Sequence, residues 1–170
     1  MQKRKLYLDC DGVILDTIKQ SYKMIHEKNL TNKDEIIEFY NYLNWEELIV
    51  ISGEIDNSIS KIKKLSEMFD IEILTHVNSK NEEKAKQSYF EKKLPNINVI
   101  SVPKTIDKCD IINPKGAILV DDFIFNLEKW QKKGGIPVKF SDSGRECKFV
   151  TITDLLELQD IDFDNEVLVR

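Results

Sequence analysis

Two acidic pairs, each placed where an apolar run ends, constrain the fold of this chain more than any other feature. Asp9 and Asp11 follow a short apolar run that favours a buried strand. Asp121 and Asp122 end a second such run more than a hundred residues later. Gly12 tolerates the backbone angles of a turn that can bring the first pair to one rim with the second. Clustered carboxylates repel one another unless a cation lies among them, so the pairs predict a site for a hard metal such as Mg²⁺, typical of phosphate chemistry.

Composition and charge narrow the class of protein. A chain of 170 residues fits one domain with a substantial core, and 41% hydrophobic and 32% charged residues are typical of a soluble globular protein. No apolar run approaches the length of a membrane-spanning helix, so we expect no membrane partner. The formal net charge of −5 disfavours long nucleic acid as a partner. A small phosphorylated molecule can still bind, because a metal and one or two lysines reverse the field locally.

The N-terminal segment and the cysteines predict a cytoplasmic protein. The segment from Met1 to Lys5 is basic like the first region of a signal peptide, but the apolar stretch after it stops at Asp9, which argues against export. Three cysteines are an odd number without metal-like spacing, and reduced thiols are their simplest interpretation. We expect the Cys10 side chain to point away from the metal site and fill the core.

Strand-like and helix-like stretches alternate along the chain. The predicted strands cover 5–9, 71–74, 99–102, 117–120 and 136–140, and the predicted helices cover 17–29, 34–43, 44–51, 58–69, about 80–93, 123–133 and 153–158. Asp16 is expected to cap the first helix, and Ser79 with Glu82 has the pattern of a capping box. The acidic tail after Gln159 is a late strand or a mobile end. The alternation predicts an α/β fold with a parallel sheet covered by helices on both faces.

Three polar residues directly follow predicted strands and should meet at one edge of this sheet. Ligands of such sheets bind beyond the carboxyl ends of the strands, near the point where the strand order reverses. Asp9, Thr75 and Asp121 each occupy such a position. The first acidic pair alone could be an ordinary strand-to-turn junction, since Asp and Gly are common in turns. The coincidence of three such positions favours a functional site.

The same residues carry a resemblance to a known family. The segment 6–13, Leu-Tyr-Leu-Asp-Cys-Asp-Gly-Val, resembles the first signature of the haloacid dehalogenase (HAD) superfamily, whose phosphatases carry Asp-x-Asp-Gly. The segment 73–75, an apolar strand end closed by Thr, resembles the second signature, and 118–122 resembles the fourth. The third signature is a lysine at loose spacing. The motifs occur in the expected order, and the resemblance implies a Rossmann-like sheet with a small helical cap inserted after the first strand.

The resemblance also implies roles for the acidic residues. Asp9 would be the nucleophile that forms an aspartyl-phosphate. Asp11 would protonate the leaving oxygen and then activate water, and it argues for phosphate esters because dehalogenases of the superfamily lack a carboxylate there. Mg²⁺ would be held by Asp9, the Asp11 backbone carbonyl and Asp121, with Asp122 binding directly or through water.

The phosphate itself would be held by residues of the second and third signatures. The Thr75 hydroxyl and nearby backbone amides, including that of His76, would bind phosphate oxygens. A lysine would offset the negative charge of the nucleophile and the phosphoryl group. Lys108 opens the stretch before the last acidic strand and is favoured on that ground, whereas Lys104 resembles the form seen in some deoxyribonucleotidase relatives. Both lysines remain candidates.

The insert after the first motif is expected to set specificity. Within one domain covering 1–170, residues from about 16 to 69 would form a cap that selects substrate and excludes water. Small helical caps of this kind are similar to those of 5′(3′)-deoxyribonucleotidases. Four aromatic residues of the insert could stack on a base or pack among themselves. They are Phe39, Tyr40, Tyr42 and Trp45.

These expectations combine into one hypothesis with rivals. The favoured function is a Mg²⁺-dependent phosphomonoester hydrolase acting on a small phosphorylated metabolite, with nucleoside monophosphates as leading candidates. Sugar phosphates and other small metabolites are the alternative substrates. A non-catalytic phosphate-binding protein that retains the fold is a rival of another class. A phosphatase of nucleic-acid ends is a third, which the acidic pI of about 5.2 disfavours.

Overall fold

Every run that the sequence assigns to a strand belongs to one sheet, whose neighbouring strands are all parallel. The computed structural model describes residues 3–145 and 147–164. The strands are β1 (Arg4–Leu8), β2 (Phe69–Val77), β3 (Asn98–Pro103), β4 (Ile118–Asp121), β5 (Ile136–Phe140) and β6 (Val150–Ile152). Their order, β3-β2-β1-β4-β5-β6, is that of a Rossmann-like sheet and confirms the predicted fold class. The short edge strand β6 is absent from the sequence prediction.

Helices connect these strands. Four of them lie between β1 and β2: α1 (Thr17–Glu27), α2 (Lys33–Tyr42), α3 (Trp45–Ser52) and α4 (Ser58–Leu65). The others are α5 (Lys80–Lys93), the single turn α6 (Lys108–Ile111), α7 (Ile124–Lys132) and a 3₁₀-helix (Leu155–Gln159). None of the helices in the described part of the chain is both long and apolar enough to cross a bilayer.

Both faces of the sheet are buried, because side chains alternate along each strand and helices cover both sides. Leu6 and Leu8 belong to the larger core cluster, which also takes in residues of the helices between β1 and β2. Tyr7, between them, belongs to the cluster on the opposite face. There its ring meets the ring of Trp130 edge-on, with centroids 5.5 Å apart. Strand β1 is thereby held on both sides, which fixes the position of the loop that follows it.

Several local predictions differ from the structure. Asp16 precedes α1, but its side chain makes no capping hydrogen bond, so the predicted cap is wrong. The helix predicted to reach residue 69 ends at Leu65, because Phe69 already begins the alternating buried pattern of β2. The helix predicted over 153–158 is a 3₁₀-helix capped by Asp154. In the acidic tail, 160–164 contain neither helix nor strand, and the rest lies outside the described residues.

The strand order places the candidate site. The chain builds outward from β1 through β2 and β3, and then returns to the other side of β1 as β4. The loops after β1 and β4 therefore diverge at the point where the strand order reverses, which is where ligands of such sheets bind. The backbone N–H of Asp9 donates to Val120 O at 2.9 Å, so the two strand ends are still paired where the acidic residues begin.

Candidate active site

A glycine allows the two acidic loops to meet. Gly12 has a φ of +77°, in the left-handed region that other residues rarely adopt. A Cβ at this position would lie 2.6 Å from Asp122 Oδ2, closer than two such atoms can approach. The turn after β1 thus packs directly on the second acidic pair. The predicted role of Gly12 in the turn is confirmed, and the structure adds a close contact that a side chain would prevent.

Three carboxylates converge at this point. Asp9, Asp121 and Asp122 each offer one oxygen, and these oxygens all lie within 4.8 Å of one another. Oxygen ligands from carboxylates are the set that Mg²⁺ prefers. The residue set therefore fits the metal that the sequence predicts.

Asp9 and Asp121 contact the same lysine, Lys108. The Lys108 Nζ lies 2.8 Å from Asp9 Oδ1 and 2.7 Å from Asp121 Oδ2, and all three residues are buried. Asp9 Oδ1 also accepts a hydrogen bond from the backbone N–H of Cys10 at 2.8 Å. Burial raises the pKa of Asp9 to about 8; Lys108 opposes this shift, while Asp121 and other nearby carboxylates add to it. Asp9 is thus held by one lysine within an excess of negative charge.

The second acidic pair is held by the start of α7 and by β5. Asp121 Oδ1 accepts from the backbone N–H of Phe123 at 2.8 Å, and its Oδ2 accepts from Asn126 Nδ2 at 2.9 Å. Burial raises the pKa of Asp122 to about 7, with Asp121 adding to the shift and Lys139 opposing it. The amine of Lys139 also donates to the Asp122 backbone carbonyl. Asn126 thus supports the acidic pair.

The two candidate lysines occupy different places. Lys108 begins α6 and is buried against Asp9 and Asp121, and these carboxylates raise its pKa although burial alone would lower it. Lys104 lies on an exposed turn after β3 and lines the cleft above the site. The structure therefore brings Lys108, rather than Lys104, into contact with the predicted nucleophile.

Asp11 is held by a different lysine, which the sequence did not single out. Lys86 Nζ lies 2.5 Å from Asp11 Oδ2, and Thr17 Oγ1 donates to Asp11 Oδ1 at 2.5 Å. Burial acts to raise the pKa of Asp11, but attraction to Lys86 and the two hydrogen bonds outweigh it, so this pKa is below its usual value. The Asp11 side chain retains 20% exposure and lines the cleft.

The predicted capping box forms only in part, and its glutamate instead anchors Lys86. Ser79 accepts from the Glu82 backbone N–H at 3.2 Å, as predicted. The Glu82 carboxylate, however, accepts from the backbone N–H of Asn78 at 2.7 Å, and its other oxygen lies 2.6 Å from Lys86 Nζ. The sequence signal for Lys86 was therefore its spacing: residues 82, 85, 86 and 90 form the buried face of α5. A lysine and a glutamate in an otherwise apolar stripe mark a buried ion pair.

Thr75 and His76 differ in their exposure to the cleft. Thr75 is fully buried, where its hydroxyl donates to His76 O at 3.2 Å and accepts from Lys86 at 3.0 Å. His76 lines the cleft, and its Nε2 lies 3.0 Å from Ile106 O. Burial and nearby Lys108 lower the pKa of His76, which favours a neutral ring. The binding of phosphate by the Thr75 hydroxyl and by the backbone N–H of His76 stays a prediction.

A cleft of about 560 Å³ opens above these residues. One wall comes from the strand ends and another from α1, α2 and α3, including Tyr40 and Trp45. These two rings are stacked with centroids 6.1 Å apart. Phe39 and Tyr42, predicted with them, line a separate groove among the helices. Tyr22 of α1, which the sequence did not select, is largely exposed and also lines the cleft.

Comparison with known proteins identifies the fold that this site shares. No protein-family model matches the sequence, and no curated protein sequence gives a significant match. Among solved structures, the candidate HAD-hydrolase YfnB from Bacillus subtilis, determined bound to magnesium, is 13% identical with a TM-score of 0.66, over 94% of this chain and 98% of that one. A HAD phosphatase from Thermococcus onnurineus is 18% identical with a TM-score of 0.62, over 92% and 96%.

A third similar structure broadens the chemistry associated with the fold. It is a dehalogenase, 16% identical with a TM-score of 0.59, over 93% of this chain and 96% of that one. At these identities the likeness establishes a shared fold, and only the residues of this chain indicate its reaction. The chain thus has the α/β fold of HAD hydrolases along nearly its whole length.

Proposed function

We propose that this protein is a Mg²⁺-dependent phosphomonoester hydrolase that works through an aspartyl-phosphate on Asp9. One observation carries the proposal: two carboxylates of a single turn are held apart by different lysines, in separate surroundings. Asp9 lies against Lys108 among other carboxylates, while Asp11 is fixed by Lys86 and Thr17. A nucleophile beside a separate acid–base group is the arrangement that a two-step ester hydrolysis requires.

In the first step, a carboxylate oxygen of Asp9 attacks phosphorus as the bond to the leaving oxygen breaks. Lys108, 2.8 Å from Asp9 Oδ1, offsets the negative charge of the nucleophile and of the phosphoryl group that it attacks. The residues that would hold Mg²⁺ are Asp9, Asp121 and Asp122, with the Asp11 backbone carbonyl as a further ligand. A bound Mg²⁺ would supply positive charge against the phosphoryl oxygens.

Asp11 completes both steps as acid and then base. It gives a proton to the leaving oxygen, and in the second step it takes a proton from the water that attacks phosphorus and frees Asp9 and inorganic phosphate. The pKa of Asp11 is lowered in the free protein. A phosphate dianion placed against it would raise that pKa and favour the protonated form needed by the leaving group. The presence of this carboxylate favours ester hydrolysis over dehalogenation.

We further propose a nucleoside monophosphate as substrate. The exposed ring of Tyr22 and the partly buried ring of Tyr40 give one wall of the cleft an aromatic surface on which a base can stack, with the buried ring of Trp45 behind Tyr40. In this proposal, residues from about 16 to 69 form the cap within a single domain covering 1–170. Sugar phosphates are the alternative substrates. The cytoplasm remains the predicted location.

A turnover screen tests the proposal. Purified protein with Mg²⁺ is offered nucleoside monophosphates and sugar phosphates, and released inorganic phosphate is measured. We expect hydrolysis of nucleoside monophosphates, a loss of turnover when a chelator removes the metal, and its return on adding Mg²⁺. Faster turnover of sugar phosphates would favour the alternative substrates. Binding of Mg²⁺ and a phosphate mimic without release of phosphate from any ester would favour a non-catalytic binding protein.

A further inference from the structure

The buried face of α5 contains an ion pair that the proposed reaction does not use directly. Lys86 has no exposed side-chain surface, so its ammonium cannot touch an ester in the cleft. We infer that Lys86 is a positioning residue, which holds the Asp11 carboxylate in the orientation needed for proton transfer to the leaving group. This inference rests on the proposed function and deepens it.

The contacts of Lys86 show how it is itself fixed. Its Nζ lies within hydrogen-bond distance of four acceptors on three parts of the chain. They are Asp11 Oδ2 at 2.5 Å, Glu82 Oε1 at 2.6 Å, Thr75 Oγ1 at 3.0 Å and His76 O at 3.1 Å. Its other surroundings include the Trp45 ring, whose centroid lies 5.4 Å away. An ammonium with its three donors engaged in this way has little freedom to move.

As a result, donors from two helices hold the two carboxylate oxygens of Asp11. Lys86 of α5 binds its Oδ2 and Thr17 of α1 binds its Oδ1, so rotation of the carboxylate would break both contacts. Each carboxylate oxygen has two acceptor sites, and one on each remains for a leaving oxygen or a water. The two donors thus fix the direction in which Asp11 can exchange a proton.

The positions of its partners indicate that Lys86 does more than stabilise the fold. Glu82 by itself would pair the ammonium, and Glu82 is fully buried with hydrogen bonds from Asn78 to its other oxygen. Lys86 nevertheless reaches past this partner to Asp11, which the cleft exposes. The ion pair therefore connects the interior of α5 to the group proposed as acid and base.

The leaving group provides a test that a structural role would not affect. A p-nitrophenolate leaves as a stable anion without a proton, whereas an alkyl oxygen needs one. In Lys86→Met we expect kcat/KM for an alkyl phosphate to fall about 10²-fold or more and that for p-nitrophenyl phosphate to fall less than about tenfold. Lys84→Met, an exposed lysine on the same helix, is the matched control and should change neither value.

The outcomes separate the inference from the proposed function. Equal losses on both esters in Lys86→Met, or no loss on either, would overturn the positioning role while leaving the hydrolase intact. A wild-type protein that hydrolyses neither ester would refute the proposed function, and the inference with it.

Thermal unfolding checks that the Lys86→Met variant folds. If Lys86→Met does not fold, two other variants replace it. Lys86→Met/Glu82→Gln removes both buried charges together, and Thr17→Val removes the other hydrogen bond to Asp11. The same selective loss is expected from each, and an equal loss on both esters overturns the inference.

Discussion

Lys86 and Lys108 lie on two sides of the loop after β1, and each contacts two carboxylates. Lys108 binds Asp9 and Asp121, and Lys86 binds Asp11 and Glu82. All of these groups except Asp11 are buried. Despite this similarity, the pKa of Asp9 is raised to about 8 and that of Asp11 is lowered. A nearby lysine therefore does not decide the state of a carboxylate by itself.

Burial acts to raise both pKa values, and the number of further carboxylates explains why the pKa of Asp9 is raised and that of Asp11 is lowered. Around Asp9, the carboxylates of Asp121 and Asp122 repel its negative charge, while Lys108 attracts it. Around Asp11, the hydroxyl of Thr17 adds a donor in place of another acid. A divalent cation would balance the excess charge on the Lys108 side, whereas on the Lys86 side one ammonium and the Thr17 hydroxyl serve Asp11 and Glu82. In the proposed reaction, the Lys108 side is thus the metal region, which also holds the nucleophile, and the Lys86 side is the proton-transfer region.

The largest expected effect comes from removing the nucleophile. Asp9→Asn keeps the shape of the side chain but cannot form the aspartyl-phosphate, so we expect turnover to fall by at least about 10⁴-fold. Phosphate release under saturating substrate measures this loss, and circular dichroism checks the fold. Asp16→Asn is the control, because Asp16 lies nearby and its side chain makes no capping hydrogen bond. Turnover of Asp9→Asn close to that of wild type would contradict the assignment.

The two lysines should differ in how Mg²⁺ affects their variants. Without metal, Lys108→Met and Lys86→Met should each lower the free energy of unfolding by about 3–5 kcal/mol, because each leaves buried carboxylates without their cation. Urea unfolding measures this loss. Mg²⁺ should recover part of it in Lys108→Met and little in Lys86→Met, since Lys86 contacts none of the three converging carboxylates.

The exposed Lys104 provides the control for both variants. Lys104→Met should change the free energy of unfolding by no more than about 0.5 kcal/mol. An equal recovery by Mg²⁺ in Lys108→Met and Lys86→Met would show that the two regions are not distinct.

Stability should depend on pH through the metal region. In the folded, metal-free protein the pKa of Asp9 is about 8 and that of Asp122 about 7, whereas in the unfolded chain both are near the usual value of about 4. Between these values the unfolded chain loses protons that the folded protein keeps, so the free energy of unfolding should fall as pH rises from about 4 to about 8. Urea unfolding across this range measures the fall, which should amount to a few kcal/mol.

Two comparisons isolate the groups responsible for this dependence. Asp122→Asn should reduce the slope, because one of the raised pKa values is removed. Mg²⁺ should stabilise the wild type more at pH 8 than at pH 6, since its ligands must lose their protons. A metal-free stability that is no steeper in wild type than in Asp122→Asn would contradict the raised pKa of Asp122.

The smallest expected effect distinguishes two glycines. Gly12→Ala should lower the free energy of unfolding by about 1–2 kcal/mol because of its positive φ, and should also weaken Mg²⁺ binding by displacing Asp122. Gly53→Ala has a similar φ of +70° but no atom within 4 Å of the added Cβ, so it should lose stability alone. Calorimetric titration with Mg²⁺ separates the two. Equal metal affinity in both variants would show that the contact with Asp122 is unimportant.

The metal region was largely predictable from the sequence, because its residues follow strands. Asp9 and Asp121 come directly after apolar runs, and parallel strands bring their carboxyl ends to one edge. Lys108 could be selected by its place before the last acidic strand, but choosing it over Lys104 required three-dimensional contacts. The close approach of Gly12 to Asp122 was likewise invisible, since it depends on how two loops pack.

In the proton-transfer region, the sequence selects Asp11 but not its partners, because these partners come from helices. Lys86 lies in a stretch rich in charged residues that resembles a solvated helix surface, and its contact with Asp11 spans 75 positions. The spacing of Glu82 from Ser79 indicates half of a capping box and not a partner for Lys86. Asp16 was wrong as a cap for a related reason: the residue type permits a capping bond, but the chain direction at the start of α1 decides whether it forms.

The central claim is that Asp9 captures a phosphoryl group, and mapping a trapped intermediate tests it most directly. The protein is mixed with Mg²⁺ and a phosphate ester labelled with radioactive phosphorus, quenched in acid and digested, and the labelled peptide is identified by mass spectrometry. The account predicts label on the peptide that contains Asp9, none in Asp9→Asn, and more in Asp11→Asn with a p-nitrophenyl ester, because the second step lacks its base. Turnover by the wild type without any labelled peptide, or label that persists in Asp9→Asn, would contradict the account.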